Sequence, residues 1–133
     1  MVSNMKMRYS LLIIFVIIIT TSCTTGNQAN LVDSDEFEEL MISKDVFLLN
    51  THTPYEGDIK GTDATIEDWE NIALHQEILP ENKDTIISVY CRSGRMSASS
   101  AQQLVDLGYK NVYDLDGGFK AWKASGRELI YKN

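Results

Sequence analysis

Hydrophobic positions divide this chain into one long apolar run near the start, several short apolar runs, and segments with helical spacing. Val46-Phe47-Leu48-Leu49-Asn50 is a continuous apolar run of the kind found in buried parallel strands. Thr85-Ile86-Ile87-Ser88-Val89-Tyr90 is β-branched and aromatic, and Val112-Tyr113-Asp114-Leu115 continues the type, so both read as strands. A short strand is expected after a turn within residues 59–66. Ser34, with Phe37, Leu40 and Met41 behind it, predicts a capped amphipathic helix carrying Asp35 and Glu36 in its first turn. A second helix is expected from Glu67 through His75 to Leu79, where Pro80 ends it. The stretch from Ser97 to Leu107 has helical spacing and is closed by Gly108. Gly117-Gly118 breaks the chain before a last short helix, Phe119 to Lys123. Strands alternating with helices predict a mostly parallel sheet covered on both faces, with its ligand site beyond the carboxyl ends of the strands.

The long apolar run stands apart. Leu11 to Ile19 is apolar throughout, Lys6 and Arg8 precede it, and Thr20-Thr21-Ser22 follow it. No acidic residue occurs before Asp33. That is the layout of a secretory signal, and the run is shorter than the roughly 18 to 20 residues a membrane span needs. Cys23, directly after a small residue, resembles the lipobox of prokaryotic lipoproteins, in which the cysteine is lipidated and becomes the mature N-terminus. Thr20 stands where that motif usually has leucine. The expectation is a signal peptide over 1–22, a lipid-anchored flexible tether over 23–32, and one domain over 33–133. The protein is then an exported lipoprotein of a prokaryotic cell envelope. A plain cleaved signal leaving Cys23 free, or an uncleaved anchor, are the alternatives.

Composition narrows the chemistry. With 133 residues there is room for a single small core. The net charge of -7, without a basic cluster outside one loop, argues against a nucleic-acid partner. Of the two cysteines, Cys23 sits at the leader boundary and Cys91 far downstream, so no structural disulfide is expected. No Cys-x-x-Cys and no metal-ligand cluster is present, so no metal is expected.

Cys91 is the chemical candidate. It follows the Ile86–Tyr90 run and precedes Arg92-Ser93-Gly94-Arg95-Met96 and a helix. A strand end leading into a helix N-terminus collects free backbone N–H groups and the positive end of the helix dipole. Such a junction favours a thiol in its anionic, nucleophilic form. A cysteine is often an inert core residue, but Arg92, Ser93, Gly94 and Arg95 are not core-forming neighbours. Gly94 gives the backbone freedom to turn successive amides inward, and Arg92 and Arg95 add cationic side chains for an anion.

The stretch Tyr90-Cys91-Arg92-Ser93-Gly94-Arg95-Met96-Ser97 resembles the active-site loop of rhodanese-type sulfurtransferases. The resemblance continues through Leu107-Gly108-Tyr109, Val112-Tyr113-Asp114-Leu115-Asp116-Gly117-Gly118-Phe119 and Ala121-Trp122, and it covers roughly residues 34–126. It implies a rhodanese-like three-layer α/β fold, a central mostly parallel sheet with helices on both faces. It also implies a persulfide on Cys91, cradled by the amides of Arg92, Ser93, Gly94, Arg95 and Met96, with no cofactor. Met96 stands where many relatives carry arginine and is expected to pack at the pocket wall. Asp116, Gly117 and Gly118 are expected close to the loop. Asn50 and His52 replace an aspartate and an arginine that usually knit the region after the earlier strand, so that ion pair is absent. His52 is read as structural.

The implied activity takes sulfane sulfur from a small donor, thiosulfate or a persulfide, to a thiol or cyanide-like acceptor. A redox or sulfur-relay protein partner is a further expectation, because a lone reactive thiol outside the cytoplasm is prone to oxidation. Two alternatives stand beside it. A thiolate phosphatase or arsenate reductase needs arginine at the sixth place after the cysteine, and Ser97 is there. A low-turnover sulfur-carrying or protein-binding module at the membrane is the other.

Overall fold

The computed structural model describes residues 27–133; the expected signal peptide, Cys23 and the first residues of the expected tether lie outside them. Among the described residues, no helix is long and apolar enough to cross a membrane. A five-stranded sheet forms the centre, built from β1 (Asn30–Val32), β2 (Val46–Asn50), β3 (Ala64–Thr65), β4 (Ile86–Tyr90) and β5 (Asn111–Leu115) in the order β1-β5-β4-β2-β3. Every pairing within it is parallel. The helices are α1 (Ser34–Ser43), α2 (Arg95–Asp106) and α3 (Gly118–Ala124), with a 3-10 turn at Ile72–His75.

Strand side chains alternate between faces, and the two faces bury different sets. Leu49, Ile87, Val89 and Val112 pack with Ala101, Leu104 and Val105 of α2 and with Ile72. Leu48, Tyr90 and Leu115 pack on the other face with Phe37 of α1 and with Phe119 and Trp122 of α3. Phe37 meets the rings of Tyr90 and Trp122 edge-on, at 6.4 and 6.2 Å between centroids, a geometry that adds to plain burial. The result is the expected three-layer α/β arrangement.

Several local expectations are corrected. Asn30–Val32, expected within the tether, forms β1 and pairs in register with Tyr113–Leu115 of β5, so the folded unit begins before residue 33. The helix expected from Glu67 to Leu79 is only the 3-10 turn. Its backbone is held from outside: the Gln103 side chain accepts from Ile72 N–H at 2.9 Å and donates to the Trp69 carbonyl at 2.9 Å. Helix α2 starts at Arg95, not Ser97, so Arg95 and Met96 belong to its first turn.

The cap of α1 is Asp33 rather than Ser34: its carboxylate accepts from the N–H groups of Asp35 (3.0 Å) and Glu36 (2.9 Å). Asp33→Ala is expected to lower stability by about 1 kcal/mol, read as a shift of the urea midpoint at constant slope. An unchanged midpoint would show that Ser34 takes over the cap.

Candidate active site

Cys91 is the first residue beyond β4, and Tyr90 fixes where that strand ends. The Tyr90 hydroxyl accepts from Ile59 N–H at 2.9 Å and lies 2.7 Å from the Thr62 hydroxyl. Burial, with the Asp58 carboxyl alongside, pushes the Tyr90 phenol well up, so it stays a neutral hydrogen-bonding post. From there the chain turns through Arg92, Ser93 and Gly94 into α2. Gly94 caps the helix at φ +99°, a region that favours glycine. Its N–H points back and donates to Cys91 Sγ at 3.0 Å. The Ser97 hydroxyl and the Ala98 N–H both bind the Gly94 carbonyl, at 3.3 and 3.0 Å.

The loop is clamped from its other side by α3. The N–H of Phe119 donates to the Cys91 carbonyl at 2.9 Å, and the N–H of Lys120 to the Arg92 carbonyl at 3.0 Å. Asp116, Gly117 and Gly118 therefore lead the chain directly against the cysteine loop, as expected.

Cys91 is buried at 1% exposure, at the base of a cavity of about 60 Å³ lined by His52, Arg92, Ser93, Arg95 and Met96. Met96 thus lies in the pocket wall. Neither arginine is free of partners: Arg92 Nη1 is 3.4 Å from Glu56 Oε2, and the Arg95 guanidinium lies 5.4 Å from the Trp69 ring centroid. The structure brings together all the residues singled out around Cys91, with Gly94 contributing through its backbone.

His52 is the member that sequence reasoning did not bring to the site. Its ring is buried, sits edge-on to Phe119 at 5.4 Å, and binds Glu56 through Nε2. The signal lay in strand adjacency. Asn50 is in register with Tyr90, and Thr51 N–H donates to the Tyr90 carbonyl at 2.9 Å. Residues just past the two strand ends must then be neighbours.

The missing ion pair has a substitute. Asn50 Nδ2 donates to the Gly57 carbonyl (3.1 Å) and to Asp58 Oδ1 (2.9 Å), while Asn50 Oδ1 accepts from His52 N–H (2.9 Å). Burial pushes the Asp58 carboxyl up, but hydrogen bonds from Asn50, Lys132 and Tyr55 outweigh it and hold Asp58 below its ordinary value.

A parallel α/β sheet with a cysteine loop at a strand end, clamped between two helix N-termini, defines the class. The family model for the rhodanese-like domain matches residues 24–125. The chain is similar to the thiosulfate sulfurtransferase GlpE of Pseudoalteromonas translucida, 32% identical over 69% of this chain and 87% of that one. It is likewise similar to a sulfurtransferase of Allochromatium vinosum, 32% identical over 76% of this chain and 94% of that one. Among solved structures, a rhodanese-like domain protein from Staphylococcus aureus superposes with a TM-score of 0.63 at 27% identity, covering 78% of this chain and 99% of that one. The chain belongs to the rhodanese-like domain family.

Proposed function

We propose that the protein is a sulfurtransferase working through a persulfide on Cys91, with thiosulfate or another sulfane donor and a thiophilic acceptor. The observation that carries this reading is the Gly94 N–H held 3.0 Å from Cys91 Sγ in a cavity of about 60 Å³. With thiosulfate, Sγ attacks the sulfane sulfur, the new S–S bond forms, and sulfite leaves with the electron pair of the broken bond. The positive end of α2 and the loop amides then face the terminal sulfur anion. An acceptor takes that sulfur in a second step, so the kinetics are ping-pong. Phosphoryl or arsenate chemistry is disfavoured because Ser97, at the position an oxyanion-clamping arginine would take, is buried and bonded to the Gly94 carbonyl. The reading also places the domain outside the cytoplasm on a Cys23 lipid anchor, a location testable by radiolabelled fatty-acid incorporation into the wild type and its loss in Cys23→Ala.

The decisive test is the intact mass of the reduced full chain before and after exposure to thiosulfate or an organic persulfide, beside Cys91→Ser. The expected result is one added sulfur atom on the native chain, removed by cyanide or a thiol, and none on the variant. No added sulfur from any sulfane donor would overturn the reading in favour of a binding module.

A further inference from the structure

We propose that His52 is a catalytic residue of this site: it takes the thiol proton of Cys91 on Nδ1, while Glu56 holds the ring through Nε2. This deepens the sulfurtransferase reading by naming where that proton goes. Sγ attacks a sulfane sulfur as the thiolate. Cys91 is 1% exposed, so its proton passes to a group inside the cavity rather than straight to bulk water. Beside the cysteine, the cavity is lined by His52, Arg92, Ser93, Arg95 and Met96. Guanidinium groups have no acceptor, and neither a hydroxyl nor a thioether takes up a proton near neutral pH. Imidazole does.

The ring is already prepared for this. His52 is 3% exposed, and its Nε2 is bound to the Glu56 carboxylate. A carboxylate only accepts, so the ring proton sits on Nε2 and Nδ1 keeps a lone pair. That Nδ1 is buried with no hydrogen-bond partner, whereas buried polar side-chain atoms are as a rule paired. Among the described residues it is the only such orphan in the wall of the cavity. The local structure does not need it, because Asn50 already ties this turn to Gly57 and Asp58 and accepts from His52 N–H. A nucleophile, a base and a third group orienting the base form the arrangement that activates weak nucleophiles. The step balances: the S–H bond breaks, its electron pair stays on Sγ, the proton goes to Nδ1, and the imidazolium is paired with Glu56. The surrounding charges set how far it runs. Glu56, from the same loop as His52, favours the imidazolium. Arg92 and Arg95, from the cysteine loop and the first turn of α2, favour the thiolate and oppose the imidazolium. From α3 the ring meets uncharged Phe119, with Lys120 and Lys123 farther along the groove that Glu56 and Arg92 share.

Alkylation of Cys91 by iodoacetamide reads the thiolate in the reduced full chain, resolved from Cys23 by peptide mass, at pH 7 and pH 10. Single-turnover loading from thiosulfate is followed beside it. His52→Gln keeps an amide N–H for Glu56 and removes the base. It is expected to slow alkylation and loading about ten-fold or more at pH 7. At pH 10, where hydroxide removes the proton in both, it should alkylate as fast as the native chain. Imidazole added to His52→Ala is expected to restore part of the pH 7 rate. Glu56→Gln is an independent measure and decides alone where His52→Gln does not hold its fold. Freeing Arg92 would by itself speed alkylation at pH 7, whereas loss of the imidazolium's partner slows it, and slowing is expected. A His52→Gln chain equal to the native one at pH 7, or slowed alike at both pH values, would overturn the proposal. So would a Glu56→Gln chain that alkylates faster. The alkylation needs no sulfur donor, so a native chain that behaves as expected there yet never loads supports the proton transfer and refutes only the sulfurtransferase reading.

Discussion

Gly118→Ala is expected to be among the most damaging single substitutions in the domain. A Cβ at this position would stand 2.3 Å from the Cys91 carbonyl oxygen and 2.6 Å from both the carbonyl carbon and oxygen of Arg92. Those are backbone atoms, so no side chain can swing away to make room. Relief requires α3 to move off the loop, and that breaks the hydrogen bonds from Phe119 N–H to Cys91 and from Lys120 N–H to Arg92. The φ of +59° adds a cost that any L side chain meets. Clash, lost hydrogen bonds and strain together are expected to remove about 3 to 5 kcal/mol. Gly108→Ala is the control: φ is +96° and nothing lies within 4 Å of the added carbon, so only the backbone cost applies, about 1 to 2 kcal/mol. Urea unfolding of both variants checks the expectation, and equal losses would refute the close-approach argument. Alkylation of Cys91 should also accelerate in Gly118→Ala, because the same contact keeps the loop closed.

Asp114→Asn is expected to stabilise the protein at neutral pH and to lose that advantage in acid. Asp114 lies within β5, between Val89 of β4 and Leu31 of β1, and is 4% exposed. Its Oδ1 is buried without a hydrogen-bond partner. Burial pushes the carboxyl up from 3.8 to about 6, the neighbouring Ser97 hydroxyl only partly opposes it, and Asp116 pushes the same way as burial. The folded state therefore holds this proton more tightly than the unfolded chain does. Stability contributed by the protonated acid is complete below about pH 4, falls as pH rises toward 6, and is gone above that. A separation of about two pH units corresponds to about 3 kcal/mol. The amide keeps the shape and cannot ionise, so Asp114→Asn should gain about 1 to 3 kcal/mol at pH 7.5 and under about 1 kcal/mol at pH 4.5. Urea midpoints of both proteins at the two pH values decide it. A difference that does not change with pH would show that Asp114 does not titrate in this range.

The same two residues mark the limit of what the chain discloses by itself. Gly118 stood out as a chain break, but its neighbour is a carbonyl 26 to 27 residues earlier, and no local pattern names that partner. Asp114 was visible as a polar residue inside an apolar run, while its burial follows from β1 covering the edge of β5. β1 itself was missed because Asn30-Leu31-Val32 is too short for periodicity to show. What makes it a strand is the ladder offered by β5.

Local pattern along the chain was enough for β2, β4, β5 and the body of α2, because continuous apolar runs and a glycine stop act over a few residues. It also determined the cysteine at a strand end facing a helix N-terminus, since that is a matter of order along the chain. The rest came from packing between segments far apart in the chain. Parallel register set His52 beside Cys91. Gln103 took over the backbone groups at Trp69 and Ile72, leaving a 3-10 turn where a helix was expected. The N–H groups of Phe119 and Lys120 closed on the cysteine loop and brought Lys120 and Lys123 to the rim of the site. Each of these joins residues distant in the chain, and such contacts exist only once the sheet has brought its strand ends together.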